Sequence, residues 1–179
     1  AVGLLLPNTN SIVLALLALF SAGRVAAVLN YTAGSAAVVS AINTSGLGVV
    51  ICARSFVDKA DLQPLVDAIT ANGTKILYLE DIKAALRLRD KVAAWLFWRR
   101  PVARTEAGDP AVVLFTSGSE GTPKGVVLSS RNLIANAAQA ECRVDISPAD
   151  SLFNVLPVFH SFGLLGGTLL PLLYGIHLF

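Results

Sequence analysis

Leu114-Phe-Thr-Ser-Gly-Ser-Glu-Gly-Thr-Pro-Lys-Gly-Val126 is the stretch from which the rest of the chain can be read. It is flanked by two apolar, β-rich runs, Ala111–Thr116 and Val126–Ser129. The Gly/Ser-rich centre is therefore expected to join two strands rather than open a helix. Thr116, Ser117, Ser119 and Thr122 supply hydroxyls, and Lys124 supplies an ammonium with three donors. Gly118, Gly121 and Gly125 allow the backbone to bend and turn its amides inward. Hydroxyls, amides and one cation around such a turn make an anion cradle suited to a polyphosphate. Two other loop types are excluded by spacing. A Walker loop needs Gly before its Lys and Ser or Thr after it, and here the neighbours are Pro123 and Gly125. A hydrolase nucleophile elbow needs Gly-x-Ser-x-Gly, which no serine of this loop satisfies.

Upstream of the loop, apolar β-rich runs alternate with helical patterns. Val2–Leu6, Val25–Leu29, Gly46–Cys52 and Lys75–Leu79 read as strands. Between them lie a helical stretch to about Ala22, with Asn8 or Asn10 able to cap it, and helices at Ser35–Asn43, Asp61–Ala71 and Ile82–Phe97. That alternation predicts an α/β fold, a layered parallel sheet built from β-α units. Arg99–Pro110 reads as a surface connection. Downstream of the loop come a helix at Asn132–Cys142, a turn at Ser147–Asp150, a strand at Ser151–Leu156 and a helix at Ser161–Leu173.

The chain has 179 residues, 54% hydrophobic and 15% charged, greasier than an ordinary soluble domain. Ile12–Ala22 is too short to span a bilayer, and Leu152–Phe179 is interrupted by Asn154, Pro157, His160, Gly166, Gly167 and Pro171. A buried α/β interior accounts for the composition better than a membrane span. The net charge of +2 gives no case for nucleic acid. Cys52 and Cys142 are far apart and lack metal-ligand spacing, so Cys52, inside an apolar run, is expected to be an inert buried thiol.

The ordered run Thr116-Ser-Gly-Ser-Glu-Gly-Thr-Pro-Lys-Gly125 resembles the phosphate loop of the adenylate-forming superfamily of acyl-CoA synthetases, luciferases and peptide-synthetase adenylation domains. A second segment, Leu156-Pro-Val-Phe-His-Ser-Phe-Gly163, is similar to the family's downstream segment, whose His and Gly border the acyl and adenylate pocket. Pro7-Asn8 and Arg24-Val-Ala-Ala-Val-Leu-Asn-Tyr-Thr-Ala-Gly34 look like acyl-acyl-carrier-protein synthetases, in particular the ligase portion of the 2-acylglycerophosphoethanolamine acyltransferase family. Ser130 departs from that subfamily, which often has His there.

The resemblance implies an N-terminal, AMP-binding domain, partial over 1–179, without the small C-terminal lid domain. It implies ATP and Mg²⁺ as cofactors and a carboxylic acid, a long-chain fatty acid, as the group activated. Acyl carrier protein or CoA would be the thiol acceptor, and the setting would be phospholipid acyl recycling. Thr116, Ser117, Gly118, Ser119, Gly121, Thr122 and Lys124 would hold the ATP phosphates, with the loop expected to close on ATP and open for pyrophosphate. His160 is the catalytic candidate, although a lone His among Phe159 and Phe162 can equally be a packed core residue. No Tyr-Gly-x-Thr-Glu or Thr-Gly-Asp segment occurs, so the chain by itself is expected to be inactive.

Lys83, Arg87 and Lys91 fall four apart, which on one helix forms a basic stripe that Trp95 and Trp98 continue. Such a stripe is either a solvated face or, with Arg99, Arg100 and Arg104, a docking surface for anionic lipid or an acyl carrier protein. The corresponding localisation is cytoplasmic, at the inner face of the cell membrane. Two other readings compete: a peptide-synthetase-type adenylation domain, and a non-catalytic lipid-binding or scaffold module that kept the loop.

Overall fold

Successive residues of the central strands face opposite layers, and both layers are apolar. Leu4, Ala26, Val28, Val112 and Leu114 belong to one buried cluster, and Leu5, Ala27, Leu29, Val50 and Val113 to the other. A sheet greasy on both faces must be covered on both, which is the signature of parallel β-α architecture. A computed structural model describes residues 1–117 and 123–179, with Ser117 given by its backbone alone. Its central sheet has six strands: β1 (Val2–Leu5), β2 (Ala26–Val28), β3 (Val49–Cys52), β4 (Lys75–Tyr78), β5 (Pro110–Ser117) and β6 (Pro123–Ser129). Their order is β4-β3-β1-β2-β5-β6, parallel throughout except that β6 runs antiparallel to β5. This is the layered, mostly parallel α/β sheet expected from the alternation of elements.

Helix α1 (Asn10–Ser21) covers the first face through Ile12, Leu16 and Leu19. Helices α2 (Ser35–Thr44), α3 (Arg54–Lys59) and α4 (Gln63–Ala71) cover the second through Val38, Ile42, Val57, Leu65 and Ile69. The short helix α3 was not anticipated. It occupies Arg54–Lys59, and Asp61, at a φ of 50°, turns the chain before α4 begins at Gln63 rather than at Asp61. Cys52 is buried, and burial pushes its thiol pKa up to about 11, in keeping with an inert core cysteine.

Two expected elements differ. Ile82–Phe97 is not one helix but two, α5 (Leu79–Ala85) and α6 (Leu88–Phe97), with Leu86 and Arg87 in extended backbone between them. The break has a local cause: the Asp90 carboxylate accepts from the Arg87 amide at 2.9 Å, which caps a new helix start. The basic stripe is corrected accordingly. Lys83, Arg87 and Lys91 do not lie four apart on one helix; Lys83 is on α5, Arg87 precedes α6, and Lys91 is inside α6.

The strand expected at Ser151–Leu156 is only β7 (Ser151–Leu152), parallel to β8 (His177–Leu178). Beyond it the Asn154 amide still donates to the Phe179 carbonyl, but the Leu156 and Val158 amides are met by the Asn154 and Asn8 side chains, and Pro157 has no amide to offer. After α7 (Ser130–Glu141), capped by Ser129 and Asn132, the last helical stretch runs as α8 (Ser161–Leu164), a wider π turn (Leu165–Leu169) and α9 (Leu170–Tyr174). Among the described residues no helix is long and apolar enough to cross a membrane.

Candidate functional site

The Gly/Ser-rich loop leaves the carboxyl end of β5 and returns as β6, so the expectation of a strand-joining loop holds. Thr116 and Lys124 sit directly opposite each other in this antiparallel ladder, and Ser117 pairs with Pro123. Opposed residues in such a pair project from the same face, so the Thr116 hydroxyl and the Lys124 ammonium flank one mouth of the loop. Both are exposed. Gly125 differs from its expected role. It lies inside β6 opposite Phe115, where a Cβ would come to 3.3 Å from Val113 Cγ1. Its lack of a side chain serves close packing rather than a bend. Gly118, Ser119, Gly121, Thr122 and the Ser117 side chain lie outside the described residues, so their assigned phosphate contacts remain those of the sequence reading.

Beneath the mouth is a cavity of about 260 Å³, lined by Asn30, Ala33, Ala37, Phe115, Thr116 and Pro123. It opens at the carboxyl edge of β2 and β5, the edge at which open α/β sheets place ligands. A larger apolar groove of about 630 Å³, with Leu17, Phe20, Leu133, Leu169 and Leu172 in its walls, lies by Val25 and Pro110 at the opposite end of the same strands. It is remote from the loop.

His160 reaches the carboxyl edge from the other side of the chain. Tyr31, three residues past the end of β2, packs edge-on against Phe56 at 5.0 Å and against Phe159 at 5.2 Å. Phe159 in turn touches the His160 ring at 5.0 Å. Because Val28 of β2 is in register with Leu114 of β5, this aromatic row and the Gly/Ser loop emerge from adjacent strands on one edge. Phe159 is buried, and His160 is exposed at the start of α8.

What fixes this segment was not read from the sequence. Asn8, expected as a possible helix cap, instead donates from Nδ2 to the Leu156 carbonyl at 2.7 Å and accepts from the Val158 amide at 3.0 Å. Gly163 approaches so closely that a Cβ there would collide with the Pro157 carbonyl, and a Cβ at Gly167 would collide with the Asn154 side chain. The π turn carries its own tie, Thr168 Oγ1 donating to the Gly163 carbonyl at 2.9 Å. Pro7-Asn8 stands out in the sequence, but nothing local to it reveals a partner some 150 residues away.

Farther along the same carboxyl edge, past β3 and β4, Arg54 makes a bidentate pair with Asp81 at 2.8 and 2.7 Å and lies 4.2 Å from the Tyr78 ring centroid. The guanidinium holds the Asp81 carboxyl below its ordinary range. Past this clamp, residues 80–102 are all exposed, including Leu88, Trp95 at 76% and Trp98 at 71%. Between Ile82 and Arg104 the basic residues Lys83, Arg87, Arg89, Lys91, Arg99, Arg100 and Arg104 face one acid, Asp90.

Among the described residues no group of three His, Cys, Asp or Glu side chains could hold a metal ion. The described groups at the loop, a hydroxyl and an ammonium, suit phosphate oxygens. No protein ligand is therefore assigned to Mg²⁺.

Comparison with known proteins bears on the whole chain. A family model described as AMP-binding enzyme matches residues 1–179. Sulfoacetate–CoA ligase of Cupriavidus necator is 39% identical over 75 residues, 42% of this chain and 15% of that protein. Long-chain-fatty-acid–CoA ligase FadD13 of Mycobacterium tuberculosis is 29% identical over 163 residues, 89% of this chain and 30% of that protein. Among solved structures, the inhibitor-bound N-terminal domain of FACL13 from Mycobacterium tuberculosis superposes with a TM-score of 0.79 at 26% identity. That match covers 99% of this chain and 42% of that one. The chain thus spans less than a third of the curated relatives it matches.

Proposed function

We infer, from the premise that this chain belongs to the AMP-binding enzyme family, that its loop edge activates a carboxylic acid with ATP. An oxygen of the acid's carboxylate attacks the α-phosphorus of ATP. A C(O)–O–P bond forms, the bond from that phosphorus to the bridging oxygen breaks, and pyrophosphate leaves. A thiolate then attacks the acyl carbon, forming the thioester and releasing AMP. Negative charge builds on the leaving phosphates, so preorganised donors around them supply most of what the protein contributes. Thr116, Ser117, Ser119 and Thr122, with the Gly118 and Gly121 amides, are assigned to the β- and γ-phosphates, and Lys124 to the pyrophosphate as a point charge. His160 is assigned to the wall between acyl group and adenylate. Mg²⁺ supplies further charge neutralisation when bound to the phosphates.

One observation carries this reading: Thr116 and Lys124 are opposed across the β5–β6 ladder at the mouth of a Gly/Ser loop. ATP–pyrophosphate exchange dependent on a carboxylic acid, measured on the full-length protein, tests it. The reading expects exchange, reduced about 10²–10³-fold by Lys124→Ala, the scale typical for removing one such donor.

The finer proposal is a long-chain fatty acid as substrate and acyl carrier protein or CoA as acceptor, in phospholipid acyl recycling at the inner face of the cell membrane. What supports it is the exposed segment Ile82–Arg104, whose seven cations and two open tryptophans match an anionic lipid surface. Amphipathic aromatic rings and basic flanks are what interfacial segments present. Charge reversal at Lys83, Arg87 and Lys91 is expected to weaken sedimentation with phosphatidylglycerol vesicles. Unchanged vesicle binding together with an unchanged KM for carrier protein would remove this surface from the account.

A further inference from the structure

The His160 segment is held by one side chain from the other end of the chain. Asn8 directly follows Pro7 at the carboxyl end of β1, which lies between β3 and β2 in the parallel sheet. It is not spent on α1, whose start at Thr9 has no side-chain cap. Its amide instead donates to Leu156 and accepts from Val158, on either side of Pro157. Pro157 denies this stretch a regular ladder, and the carboxamide of Asn8 takes the place of a strand neighbour there. A carboxamide carries its donor and its acceptor on separate atoms, so one side chain can meet a carbonyl and an amide at once. Two residues past Val158 stands His160, whose own amide donates back to the Pro157 carbonyl at 3.0 Å.

We propose that Asn8 is a positioning residue for His160, fastening Leu156–Val158 to β1 so that the imidazole is presented at the loop edge. The proposal rests on the ligase reading above, since it is there that His160 meets substrate. It also separates the two halves of the site. The Gly/Ser loop hangs from β5 and β6, whereas His160 hangs from β1 through Asn8, so the phosphate grip does not depend on the Asn8 amide.

The test compares wild type, Asn8→Ala, His160→Ala and the double variant of the full-length protein. In acid-dependent ATP–pyrophosphate exchange, Asn8→Ala is expected to lower kcat about 10-fold or more, as loss of alignment does. The KM for ATP should stay within about twofold, the phosphate loop being untouched. The double variant should be no worse than His160→Ala alone, because Asn8 then has nothing left to position. Multiplying effects would overturn the proposal, since a residue with a merely structural role would reduce activity whether or not His160 is present. Amide hydrogen exchange gives a readout free of turnover: the Val158 amide should exchange at least about 10-fold faster in Asn8→Ala, while β2 and β3 amides keep their protection. Unchanged Val158 protection would also overturn the clamp. Should the wild type show no exchange activity with any carboxylate, the ligase reading fails by itself, and the Val158 comparison still decides whether Asn8 holds the segment.

Discussion

Residues 153–169 and residues 79–104 are both rich in large apolar side chains, yet only the first buries a share of them in the core. In the first, Val158, Phe159, Leu164 and Leu169 are buried while Phe153, Val155 and Phe162 are exposed, and the backbone is tied by Asn8, Asn154 and Thr168. In the second, Leu86, Leu88, Trp95, Leu96, Phe97 and Trp98 are exposed, and the link to the sheet passes through the Arg54–Asp81 pair. Hydrophobicity is therefore no guide to which segment is core. What separates them is the partner: the first meets the carboxyl edge of a sheet already greasy on that face, and the second is an excursion between β4 and β5. A segment so fastened can hold a histidine in register for chemistry. One so exposed can offer its surface to something else.

The comparison can be broken most forcefully in the core. Leu4→Ala, at a residue 0% exposed, is expected to cost about 2–5 kcal/mol in denaturant unfolding, whereas Trp95→Ala should change stability by no more than about 0.5 kcal/mol. A large cost at Trp95 would mean that the excursion is packed after all. Next in size, Gly163→Ala should destabilise by about 1–3 kcal/mol, because its Cβ would run into the Pro157 carbonyl. Gly108→Ala, where a Cβ meets nothing within 4 Å, is the control and should leave the melting temperature almost unmoved.

Thiol chemistry sharpens the contrast with a smaller effect. After brief iodoacetamide treatment at pH 8, peptide mapping should find exposed Cys142 alkylated and Cys52 intact, its thiol being buried and titrating near 11. The smallest effect belongs to the Arg54–Asp81 clamp. Asp81 has a folded-state pKa below its unfolded value of about 3.9, so the stability it contributes is present above that value. It is lost as the pH falls through the lower, folded value. The stability gap between wild type and Asp81→Asn should thus be small at neutral pH, since the pair is exposed and screened, and should close in acid.

The alternation of apolar runs with helical patterns was enough to read the parallel sheet, because each strand carries its burial on both faces in its own residues. The Gly/Ser loop is equally legible: Pro123 and Gly125 around Lys124 exclude a helix-opening Walker loop by spacing alone. Less was readable where a distant residue decides. The break at Leu86–Arg87 hides in a single Asp90 capping an Arg, a residue type that rarely starts a helix. The irregular run at Leu156–Val158 is held by Asn8, 148 residues from Leu156, and no periodicity reports such a pair. The exposure of His160 likewise follows from Phe159 taking the buried place beside Tyr31, a choice between neighbours that composition leaves open.

Acid-dependent ATP–pyrophosphate exchange on the full-length protein, with Lys124→Ala beside wild type, tests the central claim most directly. Exchange with long-chain fatty acids that falls about 10²–10³-fold in the variant is the expected result. A well-folded wild type that exchanges with no carboxylate, or exchange unchanged by Lys124→Ala, would contradict the assignment of this loop to the leaving pyrophosphate.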